Sequence, residues 1–127
     1  MTMDMRGYQQ YKQQSVNSMT PGELLLLLYD ELVKRSTLAS ITLEQKNYPV
    51  FEAATQRCID IIKYLDDTLD PKYPISKDLS RMYEYFTYQL NRVKIGRNAK
   101  VLAELRPMFA EMRDTFHMAD KNAAQGK

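Results

Sequence analysis

Residues 20–30 read TPGELLLLLYD, and this stretch decides how the fold begins. Thr20 can accept hydrogen bonds from the first backbone N–H groups of a helix, while Glu23, three residues later, can reach back to the N–H of the cap residue. Pro21 falls at the first helical position, where its missing N–H costs nothing. Together these signals predict that a helix begins at this point in the chain.

Downstream of this start, apolar side chains recur at spacings of three and four residues in four segments, which is the pattern of helices that each bury one face. The predicted helices cover about residues 21–43 and 50–69, then residues from 75 or 76 up to Gly96, and finally a segment that follows Asn98. The side chains predicted to face the core are Leu25, Leu28, Leu32, Ser36, Ala39 and Leu43 in the first helix, Phe51, Ala54, Cys58, Ile61, Leu65 and Leu69 in the second, Ile75, Leu79, Met82, Phe86, Leu90 and Val93 in the third, and Leu102, Leu105, Phe109, Met112, Phe116 and Ala119 in the fourth.

Short connections with helix-breaking residues separate these segments. Residues 45–49 form a predicted turn, and the two prolines within residues 70–74 end the second helix because they lack backbone donors and favour extended geometry before them. Gly96 is predicted to stop the third helix in the left-handed conformation and Asn98 to cap the fourth. Pro107 predicts a kink in the fourth helix, or a first turn distinct from the rest.

Four helices of about twenty residues with short connections can pack their apolar stripes together only by alternating in direction. The sequence therefore predicts an all-α protein, an antiparallel up-and-down four-helix bundle formed by residues 20–121. Residues 1–19, rich in Gln, Ser and Asn, are predicted to be a mobile N-terminal arm, and residues 122–127 a polar tail. A length of 127 residues suits this single domain.

The composition argues against several classes of function. A net charge of +2 is too small to indicate a nucleic-acid binder. One cysteine, Cys58, and one histidine, His117, cannot form an intrachain disulfide or a Cys/His zinc site, so we expect Cys58 in the core and His117 on the surface. Asp66, Asp67 and Asp70 lack the oxygen-rich loop of a cation site and are interpreted as charges around a helix end.

The sequence also lacks a Gly-rich phosphate loop and a nucleophile with an identifiable base, so no catalytic residue, metal ligand or cofactor is predicted. The longest apolar stretch, residues 24–29, is far too short to span a bilayer, and residues 1–12 lack the apolar run of a signal peptide. We therefore expect a cytoplasmic protein that is not an enzyme and does not insert directly into a membrane.

The first helix carries more apolar side chains than one buried face needs. On a helical wheel at about 100° per residue, Leu24, Leu26, Leu27 and Val33 fall outside its predicted stripe. A central helix that touches two neighbours at once would account for any one of them. As a group they predict an exposed apolar groove that binds a partner.

The third helix carries a second surplus. Tyr85 and Tyr88 point away from its predicted stripe and share a face with Arg81 and Arg92. Tyrosine and arginine are enriched where proteins bind one another, which favours an interface. The alternative is that the tyrosine rings only cover the stems of neighbouring charged side chains.

The N-terminal arm contains Tyr8, Tyr11 and Val16, apolar residues that a purely solvated tail does not require. We expect these three side chains to occupy the groove while no partner is bound. The arm would then act as an internal competitor of the partner.

Motifs from about residue 8 to residue 119 occur in the order found in one protein family. They are YKQQSVNSMTPGEL at 11–24, LYD at 28–30, YLDDTLD at 64–70, LSRMYEY at 79–85 and MRDTF at 112–116. In this order they resemble the FliS family of flagellin-specific export chaperones. The sequence departs from the family pattern at Glu31, where Gly is frequent, at Phe116, which replaces the usual Trp, and at Pro107.

This resemblance implies a bundle that binds the C-terminal segment of newly made flagellin, prevents premature polymerisation in the cytoplasm and delivers the subunit to a component of the flagellar export gate. Other flagellar regulators are a further class of partner that the resemblance leaves open. The competing hypothesis from another class is a structural or regulatory helical module that self-associates through its exposed apolar surface.

Overall fold

The computed structural model describes residues 18–125. Tyr8, Tyr11 and Val16, which carry the prediction about the N-terminal arm, lie outside the described residues, as do the last two residues of the predicted polar tail.

The described part of the chain contains four helices and no strand. They are α1 (Pro21–Glu44), α2 (Tyr48–Asp67), α3 (Ile75–Gly96) and α4 (Ala99–Gln125). Helix α1 packs on both α2 and α4, and α2 packs on α3, while the contact between α3 and α4 is smaller. The predicted all-α four-helix bundle is confirmed.

Hydrogen bonds between helices fix the alternating directions. Near the start of α1, Asp30 lies 3.2 Å from His117 late in α4, whereas Ser40, late in α1, accepts from Arg106 early in α4 at 3.3 Å. Likewise Lys94 at the end of α3 donates to Gln56 in the first half of α2 at 2.7 Å. Each of these helix pairs is therefore antiparallel.

The core draws on all four helices. Phe86 of α3 meets Phe109 of α4 edge to face, with ring centroids 5.0 Å apart and planes at 82°, a favourable geometry for aromatic rings. Most of the predicted stripes are buried in this core: Leu32, Ser36, Ala39, Phe51, Ala54, Cys58, Ile61, Leu65, Phe86, Leu90, Val93, Leu102, Leu105 and Phe109. Burial raises the pKa of the Cys58 thiol to about 12, as suits the unreactive small side chain that its position predicts.

Two predicted core residues are wrong, and five buried apolar residues among those described were not predicted. Ile75 is 61% exposed because the neighbouring Ser76 is the buried member of the first turn of α3 and donates to the Asp70 carbonyl oxygen, which turns Ile75 outward. Ala119 is exposed near the end of α4. The core residues that the stripes did not include are Tyr29, Ile59, Ile62, Tyr83 and Val101.

The helix ends agree with the sequence in part. Thr20 Oγ1 accepts from the Glu23 backbone N–H at 3.1 Å, which confirms the predicted start of α1. Helix α2 begins at Tyr48 rather than at Val50. Pro49 lies inside its first turn, where proline is tolerated because its missing N–H has no partner within the helix. The predicted turn at 45–49 is therefore shorter than expected.

The junction between α3 and α4 corrects the prediction for Gly96. Gly96 is the last residue of α3 and has no positive φ, whereas Arg97 adopts the left-handed conformation at φ 50° and ψ 46°. The Arg97 guanidinium lies 3.5 Å from the centre of the Tyr48 ring, a cation–π contact that helps to hold this conformation. Asn98 Oδ1 accepts from the Val101 N–H at 3.1 Å, which confirms the predicted cap. Pro107 lies inside α4, which continues past it.

Separate alanine substitutions at Leu90 and at Ile75 test whether the observed core, rather than the core predicted from the sequence, stabilises the fold. Leu90→Ala should lower the free energy of unfolding by about 2–5 kcal/mol, because it leaves a cavity at a fully buried site. Ile75→Ala should change it by no more than about 0.5 kcal/mol, because that side chain is exposed. Urea unfolding followed by circular dichroism measures both values, and equal losses would contradict the orientation of the first turn of α3.

Candidate functional site

A concave apolar groove lies at one end of the bundle and encloses about 700 Å³. It is formed by the start of α1, the end of α2, the connection between α2 and α3, the first half of α3 and one side chain of α4. The residues that line it are Met19, Thr20, Pro21, Leu24, Leu25, Leu28, Tyr64, Leu65, Thr68, Leu69, Asp70, Tyr73, Ser76, Leu79, Tyr83 and Phe116. We call this surface the groove.

The leucine run at the start of α1 supplies one wall of the groove. The Thr20 cap fixes where the helix begins, so the helical period places Leu24, Leu25 and Leu28 side by side along the wall. All three are half-buried, with part of each side chain left open to the groove. The wall is apolar because α1 carries five leucines in succession.

Aromatic side chains from three helices lie at the bottom of the groove, with Tyr83 and Phe116 in its lining and Tyr29 behind them. The hydroxyl groups of Tyr29 and Tyr83 share a hydrogen bond of 2.5 Å, which joins α1 to α3. The Tyr29 ring stacks on Phe116 of α4, with centroids 4.9 Å apart and planes 17° from parallel. Burial raises the pKa of Tyr29 and of Tyr83, so both hydroxyls keep their protons.

The connection between α2 and α3 forms the rim at the opposite side. Ser76 Oγ donates to the Asp70 carbonyl oxygen at 2.5 Å, and the Lys72 backbone N–H donates to Asp70 Oδ1 at 2.9 Å. These bonds close the connection into a compact loop that holds Tyr73 and Leu69 along the groove. The prolines on either side further restrict the loop.

Two shallower depressions continue from the groove across the outer surface of α2 and α3. The first, of about 470 Å³, shares Leu69, Tyr73 and Ser76 with the groove. The second, of about 420 Å³, shares Asp66 with the first and ends at Tyr88. The groove and the predicted tyrosine surface are thus linked by a continuous path.

Of the surplus side chains predicted on α1, Leu24 lines the groove and the others lie elsewhere. Leu26 and Val33 fall at helical spacing with Asp30, Thr37 and Ser40, whose side chains bond to α4. That face of α1 therefore meets α4. Val33 packs against the core, and Leu26 and Leu27 are half-buried. This arrangement agrees with the alternative explanation for Leu26 and Val33, namely that a central helix contacts two neighbouring helices at once.

The predicted tyrosine surface of α3 is exposed. Tyr88 is 65% exposed, and the Tyr85 ring lies beside Phe86 with centroids 5.9 Å apart. Gln89 donates to the Tyr85 hydroxyl at 3.2 Å and accepts from Arg92 at 2.8 Å, so these polar groups already bind one another. Arg81 is exposed as well.

Sequence reasoning missed most of the groove because it placed the ends of the apolar stripes in the core. Leu25, Leu28, Leu69, Leu79 and Phe116 are half-buried at the groove, although the stripes predicted them to be core residues. A usable signal was that all of them lie near the ends of their predicted stripes, where a bundle has fewer neighbours to cover them.

The described residues contain no group of three or more His, Cys, Asp or Glu side chains that could hold a metal ion. His117 is on the surface, as predicted, and its Nε2 lies 3.2 Å from Asp30 Oδ1. None of the helices within residues 18–125 has the length and hydrophobicity needed to cross a membrane.

Comparison with known proteins agrees with the resemblance in the motifs. The family model described as "Flagellar protein FliS" matches residues 4–123. The chain is 31% identical over 112 residues to the flagellar secretion chaperone FliS of Bacillus subtilis (strain 168), an alignment that covers 88% of this chain and 84% of that protein. The chain therefore belongs to the FliS family of flagellar secretion chaperones.

Proposed function

We propose that the protein binds the C-terminal segment of flagellin in the cytoplasm, with the groove as the main binding surface. The observation that carries this proposal is an apolar concavity that the four helices leave uncovered. Large exposed apolar surfaces on small proteins are typically interaction sites, since leaving them in water is unfavourable. Family membership points to a flagellar export substrate as the occupant.

Binding would remove two apolar surfaces from water at once, the groove of the chaperone and the terminal segment of flagellin. A flagellin terminus that later builds the filament core would self-associate if it were free in the cytoplasm. Covering a leucine or phenylalanine side chain is worth roughly 1.5–3 kcal/mol, so a few such side chains in the groove suffice for stable binding. Bound flagellin would then lack the surface that nucleates polymerisation.

The two outer depressions support a client that extends beyond the groove. We propose that the segment continues past Tyr73 and along α2 and α3 to Tyr85 and Tyr88, partly as helix and partly extended. Leu26, Leu27 and Val33 form the neighbouring strip of α1 and are proposed as a secondary contact. In this arrangement the client wraps around the bundle.

The N-terminal arm is proposed to occupy the groove when no client is present. Met19, the last residue of the predicted arm, lies in the groove lining, which supports this proposal. Docking of Tyr8, Tyr11 and Val16 there would subtract from the affinity for the client. A reduced affinity favours release when the complex reaches a component of the flagellar export gate.

Binding and delivery require no chemistry from the chaperone itself, so we propose a protein that is not an enzyme and needs no cofactor. Its partners would be flagellin, the export gate component and, as a further class, other flagellar regulators. Nucleic acid is not among the proposed partners, and neither is direct insertion into a membrane.

Replacing Leu24 by lysine should weaken binding of a flagellin C-terminal peptide at least about tenfold. The change replaces one of the three leucines of the groove wall by a charged side chain. Covering a leucine side chain is worth roughly 1.5–3 kcal/mol, and each 1.4 kcal/mol corresponds to a factor of ten. Ile95→Lys is the matched control, because Ile95 is 83% exposed at the far end of α3 and should leave the affinity unchanged. Isothermal titration calorimetry gives the affinities, and circular dichroism checks that helical content is retained.

The same titration ranks the other parts of the proposed surface. Leu26→Lys and Tyr88→Glu should each weaken binding less than Leu24→Lys, because Leu26 lies on the face that meets α4 and Tyr88 lies at the end of the outer path. Equal affinities for Leu24→Lys and Ile95→Lys would remove the groove from the proposal. Loss of folding in Leu26→Lys would assign that side chain to the core.

Deleting residues 1–14 should raise the affinity for the same peptide, or promote self-association, because the proposed internal competitor of the groove is gone. Calorimetry reports the affinity, and light scattering with and without flagellin reports the assembly state. A one-to-one complex is expected for a chaperone, whereas an oligomer that forms regardless of flagellin would favour the self-associating module. If neither affinity nor assembly state changed, the arm would have no gating role.

A further inference from the structure

The floor of the groove holds a polar pair whose hydrogen bonds are incomplete. Each tyrosine hydroxyl carries one proton that can be donated and an oxygen that can accept. Tyr29 and Tyr83 bond to each other, so one proton is used and the other has no acceptor among the residues that the structure describes. Both side chains are deeply buried, at 0% and 2% exposed, where an unused donor is unfavourable.

Either hydroxyl can be the donor in this bond, and the positions of the two rings favour Tyr29 as the donor. Tyr83 lines the groove, whereas Tyr29 lies behind it with its ring stacked on Phe116. If Tyr29 donates to the Tyr83 oxygen, the unused proton belongs to Tyr83, the residue in contact with the groove. The opposite arrangement would leave the spare proton on Tyr29, which is buried in the protein and away from any ligand.

Neighbouring acidic and polar groups do not take up this proton. Asp66 is close enough to influence Tyr83 electrostatically, yet no hydrogen bond joins the two side chains. Ser76, another polar residue of the groove, donates its own proton to the Asp70 carbonyl oxygen. In an otherwise apolar floor, the Tyr83 hydroxyl is therefore a directional donor.

We propose that Tyr83 is a recognition residue of the groove, whose hydroxyl donates a hydrogen bond to a backbone carbonyl oxygen of the bound client segment. This inference rests on the proposed function, since it takes the groove as the client site. It also restricts the client conformation. Carbonyl groups inside a helix are already bonded, so the acceptor must belong to an extended stretch or to the last turn of a client helix. The occupant is thus an apolar peptide that is not continuously helical where it crosses α3.

Two substitutions that break the same internal bond test this proposal. Tyr83→Phe removes the hydroxyl of the residue that lines the groove and should weaken binding of the flagellin C-terminal peptide about three- to tenfold. Tyr29→Phe also abolishes the bond between the two hydroxyls but leaves the Tyr83 hydroxyl free to donate to the client, so the affinity should stay within about twofold of the original protein. The two variants change the core volume equally, which makes each the control of the other.

Thermal unfolding of both variants, measured beside the titrations, separates recognition from folding. A purely structural role for the pair would lower the affinity equally in both variants, and that result would overturn the proposal. Unchanged affinity in Tyr83→Phe would overturn it as well, because the spare proton would then not contribute to client binding. Leu24→Lys tests the proposed function independently. If Leu24→Lys weakens peptide binding but the two tyrosine substitutions have equal effects, only the role of Tyr83 is rejected, and the groove remains the proposed client site.

Discussion

The contact of Tyr29 with both Tyr83 and Phe116 ties together three of the four helices at the end of the bundle where the groove lies. Tyr29 stacks on α4 through its ring and bonds to α3 through its hydroxyl, while its own helix supplies the leucine wall. Helices α3 and α4 touch each other less than the other neighbouring pairs do, so this bridge matters most where direct packing is weakest. The bridge includes a buried hydrogen bond between the Tyr29 and Tyr83 hydroxyls, and a hydrogen bond tolerates less variation in distance than an apolar contact. It therefore fixes the distances between the helices more tightly than apolar packing alone would.

The sequence predicted the helices well because their ends and buried faces are set by local rules. The cap at Thr20 and the spacing of Leu32, Ser36 and Ala39 depend only on neighbours along one helix, so they can be recognised without the tertiary structure. The errors arise where another element decides. Ile75 is exposed because Ser76 bonds to the connection before α3, and Arg97 rather than Gly96 takes the left-handed conformation beside Tyr48.

The candidate site was harder to predict, and the reason is geometric. Helical periodicity separates the buried side of a helix from the exposed side, but it contains no information about where along the bundle the neighbours end. Leu25, Leu28 and Leu79 satisfy their stripes perfectly well and still line an open groove, because at that end a loop rather than a helix lies opposite. The bond between Tyr29 and Tyr83 joins residues far apart in the chain, and no periodic signal reports such a pair. Family resemblance indicated the class of partner, while the candidate binding surface could be located only in the three-dimensional structure.

If the groove is the client site, as proposed, its composition suits an export chaperone, whose client must bind firmly and later leave. Apolar walls supply affinity without fixing register, because leucine side chains accept many arrangements of another apolar chain. Binding sites of this kind commonly use a few polar groups to orient the ligand. A buried hydroxyl such as that of Tyr83 adds orientation at a small gain in free energy, since the net contribution of one hydrogen bond is about 0.5–1.5 kcal/mol. A client held mainly by apolar contact can thus be recognised in one register and still be displaced, for example by an arm that carries apolar side chains of its own.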